Sequence, residues 1–259
     1  MIFKVLTLFP EMFEGVLNSS ILKRAIGKNL IEVKLINIRD YTKDKYNRTD
    51  TPPIGGGAGL IMKCQPIIDA LKDNASPSTH KILLSPRGKQ YNQIKAKEFA
   101  QNYDDILILC GHYEGIDERV YPYFDEIISI GDYILTGGEI ASLVIIDSVS
   151  RLLDGVIKEE SIQEESFENN LLEYPQYTEP YEFEGSKVPD ILYSGNHNAI
   201  SKWRKKESLR LTKKYREDLF STLKFSKEEE KLLNELESDE TPKRENDAIL
   251  KGHKFIKNK

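Results

Sequence analysis

The sequence predicts an α/β protein with a parallel sheet, followed by a small α-helical domain. Short runs of strand-forming apolar residues alternate with stretches of helical periodicity up to about Gly155. Segments that contain Gly and Pro separate these runs, as expected of connecting loops. Beyond an acidic segment the pattern becomes helical, and a length of 259 residues suits one large domain plus a smaller one.

The α/β part is expected to open with a strand over Ile2–Leu8 and a helix over Ser19–Gly27. Later apolar runs predict further strands, and the amphipathic stretches between them predict helices. The predicted strands are Ile31–Ile38, His80–Leu84, Asp105–Cys110 and Ile127–Ile130. The predicted helices are Gln65–Asp73, Asn92–Gln101, a short one at Asp117–Tyr123 and a long, largely buried one at Gly138–Leu153.

Composition indicates a soluble globular protein, with 39% hydrophobic and 31% charged residues. No apolar run approaches the roughly 20 residues that cross a bilayer, so no membrane segment is expected. The first residues are typical of a strand and not of a signal peptide, which predicts a cytoplasmic location. Cys64 and Cys110 are expected to be free buried thiols, and the four histidines lack the spacing of metal ligands.

Charge is distributed unevenly along the chain, although the net charge is only −5. Lys158 to Glu184 contains nine Glu and one Lys, whereas Lys202 to Arg216 contains eight Lys or Arg and one Glu. The basic run includes Trp203, so phosphate contacts and base stacking are both expected of it. These two segments cannot have the same partner.

We place the α/β domain at residues 1–157, an acidic linker or lid at 158–174, the helical domain at 175–237 and a charged, flexible tail at 238–259. Within the helical domain we expect three helices, at Asn198–Leu211, Arg216–Leu223 and Ser226–Leu236. Ser226, followed three residues later by Glu229, predicts a capping box at the start of the last one.

Gly-bearing loops follow three of the predicted strands, after Leu84, after Leu109 and after Ile130. Ligands of open α/β sheets bind at the carboxyl ends of strands, where Gly allows the backbone to approach them closely. These loops therefore predict one shared ligand pocket. The Gly-rich loop Thr51–Leu60 matches neither the GxxxxGK[ST] nor the GxGxxG pattern, which disfavours a nucleoside triphosphate site.

Several motifs occur in one order along the chain. They are LFPEMF (Leu8–Phe13), the Gly55–Gly59 loop, LLSPRG (Leu83–Gly88), GHYEGIDERV (Gly111–Val120), SIGDYILTGGE (Ser129–Glu139), DSVSR (Asp147–Arg151) and LYSGNHNAISKWR (Leu192–Arg204). Together they resemble the bacterial tRNA (guanine-N1)-methyltransferases of the TrmD type, over nearly the whole chain to about Leu236.

The resemblance implies the knotted, trefoil fold of the SPOUT superfamily, with S-adenosylmethionine as methyl donor and Mg²⁺ as a further cofactor at an unknown site. It also implies a homodimer with each active site at the subunit interface, and tRNA as the partner of the helical domain. The implied product carries a methyl group on N1 of guanosine 37, the nucleotide next to the anticodon.

Site residues follow from the same motifs. The resemblance implies a donor pocket formed by Leu84, Ser85, Pro86, Gly111, Tyr113, Glu114, Ile130, Gly131, Asp132, Tyr133, Ile134, Leu135, Gly137 and Gly138. For the tRNA substrate it implies Asp50, Gly59, His197, Trp203 and Arg204.

Methyl transfer to N1 needs a carboxylate that removes the N1 proton and a cation near guanine O6. By its place in DSVSR, Arg151 is the expected cation. The family pattern has Asp before Ser-Phe in the linker, whereas this chain has Glu164-Glu165-Ser166-Phe167. Our hypothesis is that Glu165, one methylene longer, acts as the base.

Two other functions stay open at this point. A SPOUT relative could methylate a ribose 2′-hydroxyl or another base, and it would then have no need to recognise guanine O6. Alternatively, the change to Glu165 could mark a catalytically impaired RNA-binding homologue.

Overall fold

The computed structural model describes residues 1–158, 165–167, 169–238 and 242–256. The chain divides into two compact units, Met1–Glu159 and Glu160–Lys259. The division falls inside the predicted acidic linker. Within the described residues, no helix has the length and apolar character needed to span a membrane.

The first unit contains the expected alternation of strands and helices. Its strands are β1 (Ile2–Thr7), β2 (Glu32–Asn37), β3 (Asp50–Thr51), β4 (Ile61–Met62), β5 (His80–Gln90), β6 (Asp105–Leu109) and β7 (Glu126–Ser129). Its α-helices are α1 (Glu14–Leu17), α2 (Ser20–Gly27), α3 (Cys64–Asn74), α4 (Gln93–Asn102) and α5 (Glu139–Ser150). Short 3₁₀ helices occupy Pro10–Phe13, Ile38–Tyr41 and Glu118–Tyr123.

Five strands form the central sheet in the order β2-β1-β6-β5-β7. Every neighbouring pair is parallel, which confirms the predicted parallel sheet. In β6, Ile106 and Ile108 pack into one apolar cluster with α2, α4 and α5, whereas Leu107 and Leu109 pack into a second cluster with α3. This burial on both faces explains why the strand is a continuous apolar run.

Strand β5 continues six residues beyond the predicted end at Leu84, to Gln90. Both Leu84 and Lys89 pair with Ile128 of β7, so the four residues between them leave the ladder and then rejoin it. Gly88 lies so close to the Ile127–Ile128 backbone that a Cβ atom would overlap it. The sequence Ser-Pro-Arg-Gly is typical of a turn, and for that reason the strand was expected to stop there.

The second unit is mainly helical. It contains a two-stranded hairpin of β8 (Glu182–Phe183) and β9 (Ser186–Lys187), a 3₁₀ helix at Asp190–Tyr193, and the helices α6 (His197–Tyr215), α7 (Glu217–Phe220), α8 (Lys227–Glu237) and α9 (Lys243–Ile256). The predicted capping box opens α8, since Ser226 and Glu229 each accept a hydrogen bond from the other's backbone N–H. This confirms that prediction.

Helix α9 lies in the segment expected to be a flexible tail. Its Ala248 is buried with Ile191 and Trp203, and its Glu245 forms a buried ion pair with Lys206 of α6 at 2.5 Å. Residues 243–256 are therefore helical, and the contacts of Glu245 and Ala248 argue against the expected flexible tail. The charged composition that suggested flexibility includes a residue that is paired in the interior.

Candidate active site

A cavity of about 420 Å³ lies in the first unit, where β6 and β7 end and where β5 leaves the ladder after Leu84. Every residue predicted to form the donor pocket lines it except Asp132. The lining predicted from the sequence is Leu84, Ser85, Pro86, Gly111, Tyr113, Glu114, Ile130, Gly131, Tyr133, Ile134, Leu135, Gly137 and Gly138. The loops after these three strands thus meet in one pocket, as the Gly-bearing strand ends had suggested.

Two adjacent glycines shape the floor of the cavity. A Cβ atom on Gly138 would lie 2.7 Å from the Cα of Cys110, too close for any side chain. A Cβ atom on Gly137 would overlap the side chains of His112 and Glu139. The backbone N–H of Gly138 donates to Gly111 O at 2.9 Å, which fixes the two loops together. The loops can approach each other this closely only because both positions lack side chains.

Below the glycines lies Glu139, a fully buried carboxylate that sequence reasoning did not single out. Its Oε1 accepts a hydrogen bond from Thr7 Oγ1 at 2.7 Å, and its Oε2 lies 3.0 Å from Nε2 of His112. Glu139 is also the first residue of α5, where a negative charge is stabilised by the helix dipole. Burial, and then the charge of Glu139, raise the pKa of the neighbouring Cys110 thiol.

Asp50 and Gly59, predicted substrate residues, lie near one rim of the cavity. Partial burial and a hydrogen bond to Asp50 raise the pKa of Tyr113, a cavity residue whose φ is +58°. Glu114 accepts a hydrogen bond from Leu60 N at 2.7 Å and lies directly over Gly59, where a side chain would overlap it. The Gly-rich loop is therefore attached to the cavity rim at both of its ends.

Arg151, the predicted cation, lies at the far end of α5. It caps the C-terminus of that helix, and its N–H donates to Asp147 O at 3.1 Å. The helix has 12 residues. At 1.5 Å per residue its two ends are about 18 Å apart. Because Gly138 at the other end lines the cavity and Arg151 does not, one chain alone does not bring Arg151 to the donor pocket.

Glu165, the predicted base, belongs to the second unit. It lines a smaller cavity of about 170 Å³ together with Asn169, Leu171, Leu172, Tyr174, Ser201, Arg204, Lys205 and Ser208. The segment after Glu165 is fixed to this unit: Ser166 Oγ accepts from Glu173 N at 3.0 Å, and Leu172 N donates to Thr212 Oγ1 at 2.8 Å. Glu164, the residue before it, lies outside the described residues.

The basic run on α6 is paired with acids to a degree that its sequence does not reveal. Three of its lysines reach carboxylates of α8: Lys202–Glu228 at 3.5 Å, Lys205–Glu229 at 2.8 Å and Lys213–Glu237 at 3.1 Å. Burial opposes ionisation of Glu229, but Lys205 and Ser226 together lower its pKa to about 2. Excess charge along a sequence is therefore not equivalent to excess charge on a surface.

The three substrate residues predicted on α6 have different environments. Trp203 is only 7% exposed and packs with Ile191, Ala199 and Ala248, which argues against the expected stacking on a base. The guanidinium of Arg204, by contrast, lies 4.6 Å from the centre of the Tyr174 ring, beside the smaller cavity. His197 is exposed at the first position of the helix.

The residues that could form a disulfide or bind a metal ion are the cysteines, histidines and acidic residues. Both cysteines are free thiols, as predicted, with Cys110 buried and Cys64 half-buried. Among residues 1–158, 165–167, 169–238 and 242–256, no group of three or more His, Cys, Asp or Glu side chains is arranged to hold a metal ion.

Comparison with known proteins matches most of the chain to one family. A family model described as tRNA (Guanine-1)-methyltransferase TrmD matches residues 1–222. A curated protein of Caldicellulosiruptor saccharolyticus, named tRNA (guanine-N(1)-)-methyltransferase, is 56% identical over 232 residues, which are 88% of this chain and 94% of the relative. Relatives of the same name from Clostridium acetobutylicum and Clostridium perfringens are 53% and 52% identical, over 90% and 88% of this chain and 96% and 97% of their own lengths.

Both kinds of match confirm the resemblance seen in the motifs. The chain belongs to the tRNA (guanine-1)-methyltransferase TrmD family.

Proposed function

We propose that this protein transfers a methyl group from S-adenosylmethionine to N1 of guanosine 37 of tRNA. The observation that carries the proposal is the glycine-walled cavity at the carboxyl ends of β6 and β7 and beside the interruption of β5, in a chain 56% identical to a curated tRNA (guanine-N1)-methyltransferase. Its position is the usual one for ligands of parallel sheets. On this proposal the first unit binds the donor and the second unit contacts tRNA.

The cavity is suited to S-adenosylmethionine in size and in chemistry. About 420 Å³ lies within the range of roughly 300–1,000 Å³ for small-molecule sites. Leu84, Ile130 and Leu135 offer apolar walls for an adenine ring, and Gly137–Gly138 leaves room beside the backbone for the methionine part. When bound, the donor supplies an electrophilic methyl group. The Glu139–His112–Thr7 hydrogen bonds hold the floor of the pocket in place.

A homodimer would bring Arg151 to this cavity. On α5, Ile140 and Val144 are 48% and 41% exposed, which is unusual for large apolar side chains on a helix that is otherwise buried. Asp147 and Arg151 continue the same stripe at helical spacing. A two-fold axis near Val144 would pair this stripe with itself in antiparallel orientation. Arg151 of the partner subunit would then lie beside the Gly138 end of the helix.

In this arrangement Arg151 stabilises the negative charge that grows on guanine O6, and Glu165 removes the N1 proton. Both roles are part of the proposal, as is the contact of Asp50 with guanine. The knotted fold belongs to it as well.

The deciding experiment measures transfer of a radiolabelled methyl group from S-adenosylmethionine to unmodified tRNA. We expect incorporation into wild-type tRNA and none into tRNA in which guanosine 37 is replaced by adenosine. Incorporation that survives the replacement would indicate methylation of a ribose or another base. Absence of incorporation into either RNA would indicate an RNA-binding homologue without this activity.

Mixed dimers test the shared active site. At a donor concentration well below saturation, Arg151→Ala and Gly138→Ala should each have little activity alone, because one lacks the cation and the other binds the donor weakly. After the two variants are mixed, about half of the dimers are hybrids that carry one intact site, which restores about a quarter of the wild-type activity. No recovery in dimers shown to have exchanged subunits would contradict an interface site.

A further inference from the structure

The smaller cavity of the second unit has the chemical character of an anion site. Ser201, Arg204, Lys205 and Ser208 all line it. Their spacing of three, one and three residues places them on one face of α6. They supply two cations and two hydroxyl donors from a single rigid helix. Tyr174 adds a third hydroxyl and stacks on the Arg204 guanidinium at 4.6 Å.

Each cation on this face is held in position by a neighbour. Stacking on Tyr174 orients the planar guanidinium of Arg204. Lys205 donates to Glu229 at 2.8 Å, and this pair uses one of the three protons of its ammonium group. Arg and Lys fixed in this way are typical ligands of phosphate.

Glu165 is the one acid among the described residues that line this cavity. Its side chain is half-buried there, beside two side chains of opposite charge. A phosphate bound in this cavity would compete with this carboxylate for the same two cations. Glu165 is also the residue proposed to remove the proton from guanine.

The size of the cavity restricts its ligand. At about 170 Å³ it is smaller than the roughly 300 Å³ of the smallest typical sites for drug-sized molecules. It is lined mainly by polar side chains, whereas a base would need an apolar or aromatic slot. A single phosphate group of an RNA backbone fits both properties.

We propose that this cavity binds one backbone phosphate of tRNA, and that the phosphate displaces the Glu165 carboxylate. The inference rests on the proposed function, because it identifies the source of the phosphate as the tRNA substrate. Displacement moves the Glu165 carboxylate out of the cavity when the substrate is present. The carboxylate is then available for proton removal.

The test compares the RNA affinities of single and double variants. It measures whether Glu165 competes with RNA for the cavity, independently of its proposed role as a base. We would measure the dissociation constant of a fluorescent, unmodified anticodon stem-loop RNA by anisotropy. Glu165→Gln should bind this RNA about two- to fivefold more tightly than wild type, because a competing charge has been removed. Glu182→Gln, which removes an exposed charge elsewhere in the same unit, is the matched control and should change affinity less than 1.5-fold.

The tighter RNA binding of Glu165→Gln must depend on Arg204. Arg204→Gln should weaken RNA binding and lower the slope of log affinity against log salt by about 0.7 to 0.9, the value of one phosphate contact. In the Arg204→Gln background, Glu165→Gln should no longer tighten binding. Lys205→Gln gives an independent second background if Arg204→Gln proves unstable in a thermal melt.

Replacing single backbone phosphates by uncharged methylphosphonates identifies the phosphate that contacts Arg204. With single methylphosphonates placed along the stem-loop, the affinity loss of Arg204→Gln should vanish at one position only. Three results would overturn the inference: unchanged or weaker binding by Glu165→Gln, equal tightening by Glu182→Gln, or tightening that persists without Arg204. Each can occur in an enzyme that methylates guanosine 37, so failure here is distinguishable from failure of the proposed function.

Discussion

The donor cavity and the basic helix α6 depend on different kinds of interaction. The cavity is formed by backbone: three strand ends and two glycines that lie against Cys110, His112 and Glu139. Helix α6 is surrounded instead by ion pairs with residues far along the chain, such as Lys213–Glu237 and Lys206–Glu245. The first region is determined by local sequence, whereas the second depends on which distant acids the fold brings to it.

The largest effect should come from the residue that was expected to stack on RNA. Trp203→Ala removes a buried aromatic side chain from the cluster with Ile191 and Ala248, so we expect the free energy of unfolding to fall by about 3–5 kcal/mol. Chemical denaturation measures this. Tyr215→Ala, which truncates a 62% exposed ring on the same helix, is the control and should cost well under about 1 kcal/mol.

Trp203→Phe sharpens the same comparison. It preserves most of the buried area, so stability should change little and affinity for tRNA should stay within twofold of wild type. A loss of tRNA affinity in a stable Trp203→Phe protein would indicate that this residue contacts RNA, and it would contradict its place in the core.

A smaller but more specific effect is expected at the floor of the cavity. Gly138→Ala forces a methyl group to within 2.7 Å of the Cys110 backbone, so the two loops must separate. Overpacking of this kind costs about 1–3 kcal/mol, and we expect a loss of roughly tenfold or more in affinity for S-adenosylmethionine. Isothermal titration calorimetry measures the affinity.

Gly15→Ala is the matched control for that substitution, because nothing lies within 4 Å of the added methyl group and the residue is helical. Its donor affinity should equal that of wild type. If Gly138→Ala bound the donor normally, the cavity would not be the donor site.

The ion pair of Glu229 in the second unit should make the stability of the protein depend on pH in the acid range. The pKa of Glu229 is lowered from 4.5 to about 2, so its ionised form is stabilised by folding. This contribution is present above about pH 4.5 and is lost as the pH falls from there towards 2. Glu229→Gln should therefore reduce stability at neutral pH by about 1–2 kcal/mol and leave a flatter dependence of stability on pH below 4.5.

Glu228→Gln, which alters a 67% exposed carboxylate next to it, should leave the acid limb unchanged. Urea denaturation at a series of pH values distinguishes the two variants. Parallel acid limbs for wild type and Glu229→Gln would show that another group is responsible.

The sequence predicted the first unit more accurately than the second for a physical reason. The run Ile106–Leu109 is continuously apolar because the strand is buried on both faces of the sheet, so its pattern predicts it. The pair Gly137–Gly138 predicts a close approach of two backbone segments, because only glycine leaves room for it. Arg151 could be named from its motif, but one chain does not place it at the cavity. Glu139 had no signal of its own beyond its position after the two glycines.

In the second unit, sequence patterns could not predict which acidic residues pair with the basic residues of α6. The charge of α6 predicted an open basic surface, yet Glu228, Glu229 and Glu237 come from a later helix with its own acidic pattern. The tail predicted as flexible contributes Glu245 and Ala248 to the interior. Pairing between remote elements is a property of the fold, and neither periodicity nor local composition reports it.

The smallest effect concerns the exposed pair Lys213–Glu237, whose side chains are 53% and 65% exposed. Glu237→Gln should change stability by less than about 0.5 kcal/mol, because exposed pairs contribute little. If this end of α6 faces tRNA, however, removing the acid frees Lys213 for a phosphate, and affinity should rise by up to about twofold with a steeper salt dependence. Glu32→Gln, which breaks an exposed pair with Lys34 in the first unit, is the control. Equal affinities for the two variants would place the tRNA surface away from Lys213 and leave the smaller cavity, with Arg204 and Lys205, as the part of α6 that contacts RNA.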